Sequence, residues 1–232
     1  MVYVQFTRSD AGKIALGLVF IELGLVGLWS IDAVFGLPWT FHALLNLDGE
    51  ATIPAWFSAM LLFAIGGTFL LARFVPRTHD VIPPNFSTLL GLGFVFLSMD
   101  EAAAIHEMLT AALKHIEWVP RFRGQHGIWI GLYGSLGLVV LYTLRPVANA
   151  VWKLYFHQAM IFSAGAAVFL LGAVGLEVLG YEWALNENPQ SALYLLEVAV
   201  EEFMEMLGAT LMYYAALLFL LLEGEQAPMP KT

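Results

Sequence analysis

The sequence predicts an all-α membrane protein, built as a bundle of six transmembrane helices. Hydrophobic residues make up 59% of the 232-residue chain and charged residues only 12%, against about 25% charged residues in soluble domains. The mean hydropathy is +0.75. Six apolar segments come close to or exceed the length of about 20 residues that a helix needs to cross the hydrocarbon core. We therefore expect one integral membrane domain over residues 1–232.

The six segments follow one another along the chain, and prolines separate them. The expected helices are Gly12–Phe35, Pro54–Phe74, Phe86–Leu113, Gly127–Leu144, Leu154–Leu179 and Ser191–Leu222. Prolines are common where helices begin or end. Those that support these boundaries are Pro38, Pro54, Pro76, Pro83, Pro84, Pro120, Pro146 and Pro189. Pro54 and Ser191 stand where a first helical turn is expected, and Pro146 is expected to end the fourth helix.

The distribution of lysine and arginine predicts that both termini are cytoplasmic. Six spans put both termini on one side, and seven of the ten basic residues lie on that side: Arg8, Lys13, Arg73, Arg77, Arg145, Lys153 and Lys231. The positive-inside rule makes this side cytoplasmic, and we expect the protein in the inner or plasma membrane of the cell. The outer loops are then Leu37–Ile53, Lys114–His126 and Gly180–Gln190. The first of them is expected to form a short interfacial helix over the site, with His42 as a further candidate ligand.

Eight ionisable residues lie within two of the predicted spans. The third segment carries Asp100, Glu101, His106 and Glu107, and the sixth carries Glu197, Glu201, Glu202 and Glu205. A charged side chain at bilayer depth costs a few kcal/mol or more. Shared protons, a bound cation or a water-filled cavity must offset that cost.

The direction of the two helices places these residues at the same depth. The third helix runs outward and the sixth runs inward, so both sets lie between the midplane and the outer surface. In a continuous third helix, Asp100 and Glu107 fall within about 20° of one another at 100° per residue. The acids of the sixth helix form a stripe, which is expected to face the bundle rather than lipid. The two sets are therefore predicted to face each other.

Other residues could join this cluster from the outer half of the bundle. The further candidate ligands are His126, His115, Glu177 and Tyr194. Glu22 lies midway along the first helix and is a more distant candidate.

Carboxylates together with imidazole favour a divalent metal ion, namely iron, zinc, manganese or copper. Four acids and two histidines on facing bundle helices hold two metals in ferritin-like proteins, and the residue types here are similar. The Glu-x-x-His motif of those proteins is absent, so no family is assigned. The favoured hypothesis is an intramembrane metal site, with one or two metals, that could support oxidoreductase chemistry. Whether the protein is an enzyme stays open.

Several alternatives use the same residues. Chains of acids and histidine also form proton or cation pathways in membranes, so a translocating protein is the main alternative. The chain could instead be an accessory subunit of a larger membrane complex. Two structural explanations are a sixth helix that begins later and leaves its acids in water, and a polar network that joins helices.

Other functions find no support in the sequence. The chain has no cysteine, which excludes thiolate ligands and a catalytic cysteine. Haem is not expected because His106 has no well-placed second histidine, and retinal is not expected because no lysine lies mid-span. Nucleic-acid binding has no support. Two glycine faces predict close helix packing, within the chain or with a second copy or partner subunit in the bilayer: Gly12, Gly17, Gly24 and Gly27, and Gly127, Gly131, Gly134 and Gly137.

Overall fold

The computed structural model describes residues 6–75, 83–119, 122, 127–182, 188 and 191–225. Within these parts of the chain, six helices are long and apolar enough to cross a membrane: Arg8–Phe35, Ile53–Ala72, Asn85–Ala103, Ile128–Leu154, Phe156–Tyr181 and Ala192–Leu222. The predicted all-α fold with six candidate spans is confirmed. The side of the membrane that the termini face, and the membrane itself, stay predictions.

The helical elements follow the chain in a simple order. They are α1 (Arg8–Phe35), α2 (Trp39–Leu45), α3 (Ile53–Ala72), α4 (Pro84–Ala103), α5 (Ile105–Leu113), α6 (Ile128–Leu154), α7 (Phe156–Leu170), a π-helical turn (Leu171–Leu176), α8 (Glu177–Glu182) and α9 (Ala192–Glu225). Threonine hydroxyls cap two of the starts. Thr7 accepts a hydrogen bond from the backbone N–H of Asp10, and Thr52 accepts one from that of Ala55. Such caps satisfy backbone donors that have no partner inside the helix.

Helix α9 lies at the centre of the bundle and packs against α1, α3 and α7, while α3 also pairs with α4. In the span of α9, 56% of the residues in its most apolar stretch are buried, against 6% in α6. Helix α9 carries four acids in its first half, and α6 carries none. Because lipid cannot solvate a carboxyl group, the acidic helix is surrounded by protein.

Glycines bring two helix pairs into close contact, and these glycines do not belong to the two packing faces predicted from the sequence. A Cβ atom added to Gly66 of α3 would lie 2.8 Å from the carbonyl oxygen of Gly91 in α4, and one added to Gly165 of α7 would lie 2.8 Å from that of Gly208 in α9. By contrast, a Cβ added to most glycines of the two predicted faces meets nothing within 4 Å. These glycines are Gly12, Gly17, Gly24, Gly27, Gly131, Gly134 and Gly137. The prediction of packing faces there is therefore wrong within the described chain, and contact with a partner stays untested.

The third predicted helix is broken, which corrects the expectation of one helix over Phe86–Leu113. Helix α4 ends at Ala103 and α5 begins at Ile105, with Ala104 between them in the left-handed region at φ 49° and ψ 42°. The carboxylate of Asp100 accepts the backbone N–H of His106 at 2.9 Å. This bond replaces the i→i−4 bond that a continuous helix would make, so the helical-angle argument that aligned Asp100 with Glu107 does not hold.

Replacing Ala104 by glycine is expected to stabilise the protein by up to about 1 kcal/mol. Left-handed backbone costs an L-residue roughly 1–2 kcal/mol, and glycine avoids this while losing more chain entropy on folding. The thermal unfolding temperature in detergent measures the change. An Ala102→Gly exchange inside α4 is the matched control and should destabilise, and a fall in both variants would contradict the left-handed assignment.

Two other helices differ from the prediction. Helix α6 continues through Pro146 to Leu154, although Leu144 was expected to be its end, since membrane helices tolerate an internal proline. The fifth segment, expected as one helix over Leu154–Leu179, contains the π-helical turn. Gly172 in that turn approaches α9, because a Cβ there would lie 2.9 Å from the carbonyl oxygen of Glu201.

The first predicted loop forms a short helix, α2, as expected. His42 in α2 does not approach the acidic cluster, because its Nδ1 atom lies 2.5 Å from Oδ2 of Asp32. The indole N–H of Trp29 donates to Asn46 at 3.3 Å. These two contacts tie the loop to the end of α1 and leave residues 47–50 to turn towards the bundle.

Candidate functional site

A cavity of about 230 Å³ lies at the end of the bundle where α3 and α9 begin and where α4 and α8 end. It collects all eight residues of the predicted cluster: Asp100, Glu101, His106, Glu107, Glu197, Glu201, Glu202 and Glu205. Glu177 and Tyr194 also line it. His115 is exposed and does not line the cavity. His126 lies outside the described residues.

The cavity wall is acidic to an unusual degree. Ten carboxyl groups line it, namely the seven acids of the predicted cluster together with Glu177, Asp48 and Glu50. His106 is the one basic side chain among the described lining residues, which include no lysine or arginine. Ten neighbouring carboxylates cannot all stay ionised without compensation. The cavity therefore needs protons or cations to balance its charge.

Three partly exposed residues at the mouth of the cavity form a group that could hold a metal ion. Glu50, His106 and Glu107 each offer one ligand atom, and these atoms all lie within 4.8 Å of one another. Glu50 comes from the loop after α2, while His106 and Glu107 are adjacent in the first turn of α5. Partial burial, followed by the negative charge of Glu107, raises the pKa of the Glu50 carboxyl above its ordinary value. A cation between the two carboxylates would relieve that repulsion.

Asp100 holds His106 rather than standing free in the cavity. Its Oδ2 atom lies 3.1 Å from Nδ1 of His106, and its Oδ1 atom accepts the phenol of Tyr133 at 2.9 Å as well as the backbone N–H of His106. Since the carboxylate accepts, Nδ1 is the donor and Nε2 of the ring is left to bind a ligand. A carboxylate that orients a metal-binding histidine in this way is a common arrangement. The indole of Trp129 packs edge-on against the imidazole, with 5.3 Å between ring centroids.

Replacing Asp100 by asparagine is expected to weaken metal binding about 10–100-fold, as the loss of such outer-shell partners does elsewhere. Both carboxylate oxygens of Asp100 contact donor groups, and asparagine would replace one of these oxygens by an NH₂ group that donates. Titration of the purified protein with Mn²⁺ measures the affinity. Glu117→Gln, at an exposed position away from the cavity, is the control for loss of one charge. An Asp100→Asn affinity equal to that of the control would show that Asp100 does not position His106.

The deeper acids come from two helices of the bundle. Glu101 lies near the end of α4, and Glu197 and Glu201 are one turn apart on α9. All three line the cavity. The inner wall therefore offers several oxygen ligands to a cation.

The π-helical turn positions Glu177. Cavity-lining residues recur at every fourth position through this region: Phe169, Ala173, Glu177 and Tyr181. A spacing of four drifts about 40° per step in an α-helix of 3.6 residues per turn, whereas the wider π turn keeps such residues on one face. Glu177 then accepts from the phenol of Tyr181 at 2.9 Å and from the indole of Trp129 at 3.3 Å.

The sequence reasoning missed the contribution of the loop after α2. Asp48 and Glu50 lie in the outer loop Leu37–Ile53 and were not among the candidate ligands, yet both line the cavity. The phenol of Tyr194 in α9 donates to Asp48 at 2.5 Å, which fixes the loop over the mouth. The sequence did predict that this loop lies over the site. The acids of a loop in that position are close to the site, and this could have made Asp48 and Glu50 candidate ligands.

An aromatic cluster closes the bundle beneath the cavity. Phe69 lies 5.8 Å from Phe162 and 6.4 Å from Phe94 between ring centroids, and Phe94 lies 5.9 Å from Phe162. Phe219 packs on Phe69 at 6.3 Å. Each of these residues lies further from the cavity end than the lining residues of its own helix. The described cavity therefore opens towards one end of the bundle only.

Comparisons with known proteins give a family and no further relatives. No curated protein and no solved structure matches the chain. Residues 14–221 match the family described as Domain of unknown function (DUF8692). This match spans all six candidate membrane helices in whole or in large part. The chain therefore belongs to the DUF8692 family.

Proposed function

We propose that this protein is a membrane metalloprotein that binds a divalent metal ion through Glu50, His106 and Glu107. The observation that carries the proposal is the mutual approach of their three ligand atoms to within 4.8 Å. Two carboxylates and one imidazole form a neutral complex with a divalent cation when the imidazole is uncharged. Three protein ligands leave coordination positions open for water or a substrate, as in catalytic metal sites.

The ligand types suit several divalent metals. Imidazole suits iron, zinc and copper(II), carboxylate suits manganese, and copper(I) prefers the thiolates and thioethers of softer sites. The described cavity wall contains no methionine and the chain no cysteine. Copper(I) is therefore the weakest choice.

The remaining acids offer room for a second ion. Glu101, Glu202 and Glu205 line the wall below the first group, and oxygen ligands from facing helices are the material of two-metal carboxylate sites. These residues would hold a second ion, and a di-metal centre would supply redox-active metal for oxidoreductase chemistry.

Two features support metal binding over ion translocation. The aromatic cluster of Phe69, Phe94, Phe162 and Phe219 lies below the cavity, and no described lining residue comes from the other half of the bundle. A translocation pathway needs polar groups through the full depth of the membrane. A role as an accessory subunit, and the assignment to the inner or plasma membrane, stay predictions.

The test is a titration of detergent-purified protein with Mn²⁺, Fe²⁺ and Zn²⁺ under identical conditions. We expect saturable binding of one or two equivalents in the wild type and a loss of at least one equivalent, or at least a tenfold weaker affinity, in Glu50→Gln. Glu117→Gln should bind like the wild type. Equal binding by all three proteins, or no saturable binding by the wild type, would refute the proposal.

A further inference from the structure

A second ionisable group is buried in the membrane, away from the acidic cavity. Glu22 lies midway along α1 with 0% of its surface exposed. It does not line the cavity. An ionisable residue inside a membrane span is expensive and marks a functional site by default, so its surroundings decide what it can do.

Among the described residues, one side chain makes a hydrogen bond to Glu22. The hydroxyl of Thr210 in α9 donates to its Oε1 atom at 2.5 Å. The Oε2 atom is buried and has no hydrogen-bond partner among the described residues. The burial of that atom leaves no room beside it for a water molecule.

Among the described residues, no charged group of the neighbouring helices pairs with Glu22. Helix α1 packs mainly against α9 and α2. The four acids in the first half of α9 line the cavity, and the hydroxyl of Thr210 in α9 donates to Glu22. In α2, His42 is bound to Asp32, about 15 Å from Glu22 at 1.5 Å per residue along α1.

We propose that Glu22 and Thr210 form a proton-binding site that joins α1 to α9. A proton needs no free volume beside Oε2, and it turns an unpaired buried charge into a neutral carboxylic acid. Oε1 is then the carbonyl oxygen that accepts from Thr210, and Oε2 carries the proton. The site holds α1 against the helix that carries the cavity acids, and loss of the proton would leave a buried charge with a single hydrogen bond, which drives the two helices apart.

Infrared difference spectroscopy tests this on the full-length protein in lipid vesicles at neutral pH. The wild type minus Glu22→Gln should show one carbonyl band of a protonated carboxylic acid, because glutamine keeps the shape of the neutral acid. Bands of the cavity acids cancel, since both proteins contain them. Bands of an ionised carboxylate in place of the acid band would overturn the proposal.

A second variant tests the hydrogen bond and serves if Glu22→Gln does not fold. Thr210→Val removes the donor to Oε1, so the carbonyl band should remain and move to higher frequency. Thr68→Val is the matched control, since the hydroxyl of Thr68 donates to the carbonyl oxygen of Ala64 in its own helix. A band unmoved by Thr210→Val, or moved equally by Thr68→Val, would contradict the pairing. Metal binding should persist in Thr210→Val, which separates this inference from the metal site.

Discussion

Replacing His106 by glutamine is expected to cause the largest loss of metal binding of any single change in the cavity. His106 is the one imidazole among the described lining residues, and Nε2 is the nitrogen that Asp100 leaves available. We expect the affinity for Mn²⁺ to fall by more than the 10–100-fold that loss of an outer-shell partner costs. Electron paramagnetic resonance of bound Mn²⁺ should also lose its coupling to a ligand nitrogen.

His115→Gln is the matched control for that experiment. His115 lies in the segment after α5, is exposed and does not line the cavity. Its replacement should change neither the affinity nor the nitrogen coupling. Unchanged nitrogen coupling in His106→Gln would show that another histidine binds the metal, and the site as described would then be wrong.

Replacing Gly208 by leucine is expected to cause the largest loss of stability. A Cβ at Gly208 would lie 2.5 Å from the backbone nitrogen of Phe169 and 2.7 Å from the carbonyl oxygen of Gly165. Backbone atoms cannot rotate aside, so α7 and α9 must separate. Overpacking of this kind costs about 1–3 kcal/mol and occasionally more, and the separation would also carry Glu177 away from the acids of α9.

The measurement is thermal unfolding in detergent, with Gly134→Leu as the control. A Cβ at Gly134 in α6 meets nothing within 4 Å, so leucine there should be tolerated. Gly208→Leu should unfold at a clearly lower temperature than both the wild type and the control. Equal unfolding temperatures would mean that α7 and α9 do not meet at this glycine contact.

The cluster could be predicted from the sequence because membrane physics restricts where acids can lie. Glu197, Glu201 and Glu205 recur at helical spacing in an apolar segment, and a lipid-facing stripe of carboxyl groups is too costly. This placed α9 inside the bundle with its acids facing α4. Asp100 and Glu201 line the same cavity, in agreement with the prediction that the two sets face each other, while their depth in the membrane stays a prediction.

The break at Ala104 could not be predicted, because it depends on a side chain that competes with the backbone. Alanine is the strongest helix former, and nothing local in the segment indicates a left-handed residue. The carboxylate of Asp100 accepts the N–H of His106 and also contacts Tyr133 of α6 and the imidazole of His106. A local sequence pattern carries no information about such contacts between residues that are far apart in the chain.

The loop acids and the π-helical turn escaped prediction for a related reason. Glu50 lies between two spans, where an acid is expected to face water, and only the path of the loop brings it to His106. Glu177 was a candidate by depth, but its direction depends on the wider π turn at Leu171–Leu176. Periodicity at 3.6 residues per turn cannot foresee that change of register.

The most direct test of the central claim is the metal content of detergent-purified protein supplied with manganese, iron and zinc during expression. We predict one or two equivalents of metal per chain in the wild type. The triple variant Glu50→Gln, His106→Gln, Glu107→Gln should lose at least one equivalent while remaining folded and monodisperse. A metal-free wild type, or a triple variant with the same metal content, would contradict the account.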